Sequence, residues 1–145
     1  MGMSSTLGSD LLAVVARINR LANQRVRMPV PFAQARLLST IEDKGEARIS
    51  DLAALDHCSQ PTMTTQVRRL EDAGMVTRTT DPKDARAVLI RITPDGVAAL
   101  RQARADRGAA IDPHLERLSD ADRACLAQAV GVMRRLIEGA TTPSS

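Results

Sequence analysis

From Ser59 to Leu70 the chain sets Gln60, Pro61, Thr62, Thr64, Thr65, Arg68 and Arg69 around three apolar residues, Met63, Val67 and Leu70. The spacing of those three, i, i+4, i+7, is one face of an α-helix. If that face is buried, Pro61, Thr65, Arg68 and Arg69 point the opposite way, with Thr62 and Thr64 on the flanks. Short polar side chains such as Gln60 and the threonines can approach base edges in a DNA groove, and a threonine methyl can touch thymine. Arg68 and Arg69 are long enough for guanine or a phosphate. Further on, Asp81-Pro82-Lys83-Asp84-Ala85-Arg86 places two cations and two acids in one polar loop. An arginine at a hairpin tip can enter the narrow minor groove, where the negative potential is strongest. Taken alone, both segments have a plainer reading: a solvated Thr/Arg helix face, and a turn in which Asp84 pairs with Arg86.

The neighbouring elements decide between these readings. Ser59 is a natural N-cap and Pro61 sits in the first turn, where its missing N–H costs little. The helix is expected to run to about Ala73 and stop at Gly74. Before it, Ser50 is expected to cap a brief helix over residues 51–55, with Leu52 and Leu55 facing inward, and His57-Cys58 forms the turn. Ala47-Arg48-Ile49 could be a short strand. After it, residues 76–79 and 88–92 are rich in β-branched side chains and read as strands, joined by an eight-residue loop. Helix, turn, helix and ribbon in that order are the layout of a winged helix, which holds DNA with a helix sized for the major groove.

On either side lie longer helices. Leu11, Leu12, Val14, Val15, Ile18 and Leu21 recur at helical spacing from about Ser9, a plausible N-cap, to Arg27, where Pro29 and Pro31 force an extended linker. Phe32, Leu37, Leu38 and Ile41 mark the buried side of a helix closed by Gly45. Thr93-Pro94 starts a helix to about Ala110 that Pro113 breaks or kinks. Ser119 with Asp122 makes an approximate capping box for a last helix carrying Leu126, Val130, Met133, Leu136 and Ile137. The expected fold is mainly α with a small β-wing: a single domain over residues 1–145. It is a winged helix-turn-helix lobe at 32–92 with flanking helices at 9–27 and 94–138, and a disordered tail at 139–145.

Composition narrows the function. The 145 residues carry a net charge of only +3, with six cations against three acids in residues 1–45. Bulk charge therefore does not argue for nucleic acid, and the arrangement of charge must. With no Trp, no Tyr and one Phe, base stacking on aromatic platforms is excluded as a main recognition mode. Two cysteines far apart, Cys58 and Cys125, suggest a reducing compartment rather than a disulfide framework, and no apolar run nears the roughly 18 residues of a membrane span. A cytoplasmic location is expected. Cys125 reads as core. Cys58, just before the helix that carries Gln60 to Arg69, is a redox candidate because helix N-termini stabilise thiolates. His57 beside it supplies too few ligands for a zinc site. No metal, cofactor or catalytic constellation is expected. The competing class is a winged-helix module that docks a protein without reading DNA.

The pattern Leu52-Ala53, a turn, Ser59-x-x-Thr62-x-Thr64, Val67-x-x-Leu70-Glu71-x-x-Gly74-x-Val76-x-Arg78, then Asp81-Pro82-x-Asp84-x-Arg86, Leu89 and Thr93-x-x-Gly96, resembles the multiple-antibiotic-resistance regulator (MarR) family. The similarity spans about residues 9–138. Ala85 stands where the family commonly has a second arginine, a departure expected either to weaken wing contacts or to shift them to Lys83 and Arg86. The resemblance implies a homodimer on a pseudo-palindromic double-stranded DNA operator, usually repressing transcription, with the terminal helices as the dimer interface. It also implies release of DNA by a small aromatic or lipophilic anion in the cleft between dimer helices and DNA-binding lobe. By position, Arg17, Phe32, Arg36 and His114 are the candidate lining residues. Oxidant sensing by a cysteine on the first helix does not carry over, since that helix has none.

Overall fold

The interior is built from residues that the helical and strand periodicities bring to one side: Leu38, Ile41, Leu52, Met63, Val67, Leu70 and Ile90 are all fully buried. The computed structural model describes residues 4–24 and 32–141. In chain order the elements are α1 (Ser4–Asn23), α2 (Phe32–Lys44), β1 (Ala47–Arg48), α3 (Ile49–Leu55), α4 (Gln60–Asp72), β2 (Val76–Asp81), β3 (Asp84–Ile92), α5 (Pro94–Glu116) and α6 (Asp120–Thr141). One antiparallel sheet, ordered β1-β3-β2, pairs Ala47 with Ile90 on one side of β3 and Val76 with Ile92 on the other. α2, α3 and α4 close over it, and the buried side chains they share form a single cluster with Ala47, Val76, Ile90 and Leu100.

The turns between these elements follow from local chemistry. After α4, Gly74 takes φ +75°, and Met75 N–H bonds the Leu70 carbonyl at 2.9 Å while Gly74 N–H bonds that of Glu71 at 3.0 Å. This is a Schellman cap, and glycine adopts its left-handed residue without a Cβ penalty. The turn after α3 closes the same way, with Cys58 N–H on the Ala53 carbonyl at 3.0 Å, but His57 holds the left-handed position at φ 52°. A side chain there costs about 1 kcal/mol.

A second junction ties α5 to the end of α4. Thr93 Oγ1 donates to the Gly74 carbonyl (2.7 Å) and accepts from Gly96 N–H (3.0 Å), and Thr93 N–H donates to the Met75 carbonyl (3.0 Å). Gly96 lets the first turn of α5 lie directly against that backbone. A Cβ at this position would overlap the Met75 carbonyl oxygen and stand 2.7 Å from Ile92 Cγ1.

Several sequence expectations need correction. α1 begins at Ser4, so Ser9 lies inside the helix rather than capping it; Leu7 extends the apolar stripe one turn upstream and the helix follows. The expected end of that helix, at residues 25–27, lies outside the described residues. Ile49 belongs to α3, and the N-cap is Arg48, without a side-chain cap bond, so Ser50 is a first-turn residue. Leu55 is 51% exposed and does not face inward. The ribbon is longer than β-branching alone indicates: polar residues on both sides of the tip complete the ladder, leaving Pro82-Lys83 as the turn. α5 continues through Pro113 to Glu116, with Ala110, Ile111, His114 and Leu115 half-buried, so an inward face is carried past the proline. Residues 139–141, expected to be a disordered tail, are the end of α6; residues 142–145 lie outside the described residues.

α6 differs from the rest. Ser119 Oγ accepts from Asp122 N–H at 3.1 Å, the expected cap. Arg123 pairs with Asp120 and places Nη1 within 3.4 Å of the Leu115, Glu116 and Leu118 carbonyls, closing the end of α5. Beyond this elbow α6 makes at most scattered contacts with its own chain, and none of its described residues is buried. Val130, Leu136 and Ile137 are exposed and Met133 is half-buried. Cys125 is exposed rather than core. On α1, Leu12, Val14 and Ile18 are exposed as well, while Leu11 and Val15 are half-buried.

Candidate nucleic-acid interface

α4 is pinned by its inner face, where Met63, Val67 and Leu70 are buried, and by its cap. Ser59 Oγ accepts from Thr62 N–H at 3.2 Å and donates to Thr62 Oγ1 at 2.8 Å, so these two hydroxyls hold the helix start together. Thr64 Oγ1 donates to the Gln60 carbonyl (2.8 Å) and Thr65 Oγ1 to the Pro61 carbonyl (3.1 Å). With their protons engaged, both hydroxyls can act only as acceptors toward a partner. Such a surface accepts from the amino groups of adenine or cytosine and touches the thymine methyl. Gln60, Pro61, Thr62, Thr65, Arg68 and Arg69 are exposed, Thr64 half-buried. Among the described residues neither Arg68 nor Arg69 forms an ion pair.

The ribbon is fastened to this helix and to β1. Arg78 Nε donates to Glu71 Oε2 at 3.1 Å, linking β2 to the last turns of α4. Asp81, the one buried charged residue among those described, accepts at Oδ1 from Lys83 N–H (2.8 Å) and at Oδ2 from Arg48 Nη2 (2.6 Å) and Nε (3.1 Å). The Lys83 amide and then the Arg48 guanidinium hold the Asp81 carboxyl below the usual carboxylate range, and Asp81 in turn raises the Arg48 guanidinium further. Because the folded value is depressed, the stabilisation from Asp81 is complete above the ordinary aspartate value and is lost only as pH falls through the lower folded one. The Lys83 amide resonance, followed by NMR during acid titration, is therefore expected to move with a midpoint below about 3.9. A midpoint at or above that value would mean the carboxylate is not held as described. Arg86 N–H donates to Asp84 Oδ1 at 3.0 Å, so the local pairing with Asp84 uses the backbone, and the Arg86 guanidinium forms no ion pair among the described residues. Lys83 is likewise exposed.

Helix and ribbon meet in a groove of about 290 Å³, lined by Gln60 and Thr64 from α4, Arg86, Ala87 and Val88 from β3, and Arg48, Ile49 and Ser50. Gln60, Thr64 and Arg86 were expected at this surface and stand together there. Arg48 and Ser50 were not, because their placement depends on β1 crossing to β3, which two residues of strand cannot announce.

The residues suggested for an effector separate. Arg36 lines a cavity of about 280 Å³ between α1, α2 and α5, but its companions are Asn19, Ala35, Ser39, Leu100, Ala103, Arg104 and Arg107. Arg104 bonds Ser39 (3.1 Å) and Glu42 (3.4 Å), Arg107 bonds Asn19 (2.7 Å) and Asn23 (3.2 Å), and Arg36 pairs with Asp56 (2.7 Å). Arg17 is exposed on α1 and His114 half-buried near the end of α5, and neither lines this cavity. The Phe32 side chain lies outside the described residues. Arg104 and Arg107 could have been found as cations one turn apart on α5, but nothing in their spacing says that they face α1 and α2. Cys58 is half-buried against the core. No group of three or more His, Cys, Asp or Glu among the described residues is arranged to hold a metal ion, and no described helix is long and apolar enough to cross a membrane.

Residues 32–88, from α2 into the ribbon, match the family model described as the MarR family. An uncharacterised HTH-type transcriptional regulator of Mycobacterium bovis is 30% identical over 133 residues, covering 91% of this chain and 93% of the relative. The fold is similar to that of wild-type MarR from E. coli in its apo form (TM-score 0.72, 23% identity, 88% of this chain and 95% of that one). It is also similar to Bordetella bronchiseptica BpsR (TM-score 0.58, 22% identity, 92% and 96%), from a structure concerned with regulation of its DNA binding by 6-hydroxynicotinic acid.

Proposed function

This chain belongs to the MarR family of winged helix-turn-helix transcriptional regulators, and from that premise we propose that it represses transcription as a homodimer on a pseudo-palindromic operator. The observation that carries the proposal is the exposed Gln60/Pro61/Thr65/Arg68 face of a capped helix sharing one groove with a cationic ribbon. In a two-fold dimer the two copies of α4 would occupy successive major grooves, roughly 10 bp between half-site centres. Arg86 and Lys83 would follow the neighbouring backbone or minor groove.

A mobility-shift assay with the region upstream of the chain's own gene tests this. Arg68→Ala is expected to weaken binding by about 1–3 kcal/mol and to relax preference at one base position. A uniform loss over all sequences would instead assign Arg68 to a phosphate. No preference of the wild type for any genomic fragment over random duplex would remove the DNA reading and favour a protein-docking module.

Release by a small anionic ligand is part of the same proposal. Its support is the cavity where α1, α2 and α5 meet, with Arg36, Arg104 and Arg107 around it and Leu100 and Ala103 beneath. A flat aromatic carboxylate fits that mixture of cations and apolar floor, in keeping with the ligand of BpsR. Sensing through Cys58 is the alternative, and its half-buried position makes it the weaker of the two.

A further inference from the structure

Arg48 leaves the sheet from β1, its backbone paired with Leu89 of β3 and its own position fixed as the N-cap of α3. Its side chain passes across β3, the central strand, to the last residue of β2. There Nη2 and Nε converge on Asp81 Oδ2, while the other carboxylate oxygen takes the Lys83 amide at the ribbon's tip. The strand pairing is irregular at this point, between Thr80 and Asp81, so the ladder alone does not fix the tip. One buried carboxylate is thus gripped by the tip on one side and by the body of the helix-turn-helix on the other. Arg48 also lines the groove with Gln60, Thr64 and Arg86.

We propose that Arg48 is a positioning residue for DNA binding: through Asp81 it sets the ribbon's distance from α4, so that Arg86 and the base-reading face reach the duplex together. The proposal rests on the DNA-binding reading above. A two-donor guanidinium suits the role because it fixes direction as well as charge. Preorganising the ribbon also removes the ordering cost that a loose hairpin would meet on binding.

The test is a double-mutant cycle on operator affinity with the full-length chain, using Arg48→Ala, Asp81→Asn and Arg86→Ala. Asp81→Asn keeps an oxygen for the Lys83 amide and removes the acceptor facing Arg48. Arg48→Ala and Asp81→Asn are expected to weaken binding alike, on the order of tenfold, and Arg86→Ala is expected to add less than about twofold in either background. Amide exchange at Lys83, measured without DNA, should quicken in Arg48→Ala. Two results would overturn the proposal. One is additivity of Arg48→Ala with Arg86→Ala. The other is a salt dependence lowered by Arg48→Ala but not by Asp81→Asn, which would make Arg48 a phosphate contact. If the wild type lacks operator preference, the DNA reading itself fails. If wild type and Arg86→Ala behave as expected while Arg48→Ala and Asp81→Asn bind like wild type, the positioning role alone fails.

Discussion

Deleting the chain from Ser119 onward is expected to yield aggregated or unfolded protein rather than a well-behaved monomer. None of the described residues of α6 is buried, and it makes at most scattered contacts within its own chain, so on packing alone its deletion costs little. Yet its Val130, Leu136 and Ile137, together with Leu12, Val14 and Ile18 of α1, leave a wide apolar surface on each chain. Surfaces of that extent mark an interaction site in a soluble protein. A second copy is the economical cover, because a two-fold interface uses the same surfaces from both chains. An obligate interface of this kind typically buries more than about 2,000 Å². Without α6 the α1 stripe would stay exposed, and aggregation follows. Light scattering on the intact chain at low micromolar concentration checks the premise: a stable mass near that of one chain would overturn both the dimer and the two-half-site operator.

Gly96→Ala is expected to destabilise the fold by about 2–4 kcal/mol, although alanine is the better helix former by about 1 kcal/mol. The added Cβ would overlap the Met75 carbonyl oxygen, a backbone atom held by its bond from Thr93 N–H, and would crowd Ile92 Cγ1. Relief requires moving the first turn of α5 away from the Schellman cap that ends α4. A loss near 10 °C in melting temperature, measured at fixed protein concentration, is the expected reading. An unchanged or raised melting temperature would show that the close approach is absent in solution. Gly108, with nothing within 4 Å of its added Cβ, is the control: Gly108→Ala should be neutral or stabilising.

The contrast between these two glycines shows what could be read in advance. Periodicity located α4 and its buried face because Met63, Val67 and Leu70 answer to one core, and Ser59 marked the start because capping is local chemistry. The ribbon's outer half was missed because Asp81 and Asp84 carry little strand propensity and are held by pairing with each other across the hairpin. Pro113 was over-weighted, since a half-buried face on both sides of it overrides the lost hydrogen bond. The groove and the arginine-lined cavity were only partly legible. Arg86, Gln60 and Arg36 sit in segments whose patterns are strong, whereas Arg48, Arg104 and Arg107 acquire their meaning from elements distant in the chain.

α5 behaves mechanically as a lever with unequal ends. At Thr93 and Gly96 it is welded to the end of α4, while near its other end Pro113 lacks the N–H that would tie its turn. The nearly twenty residues between span about 30 Å at the helical rise. A tilt of about 5° near the proline would shift the welded end by nearly 3 Å, as far as a hydrogen bond is long. In the proposed dimer, the separation of the two copies of α4 would therefore be sensitive to packing changes too small to alter either fold or dimerisation.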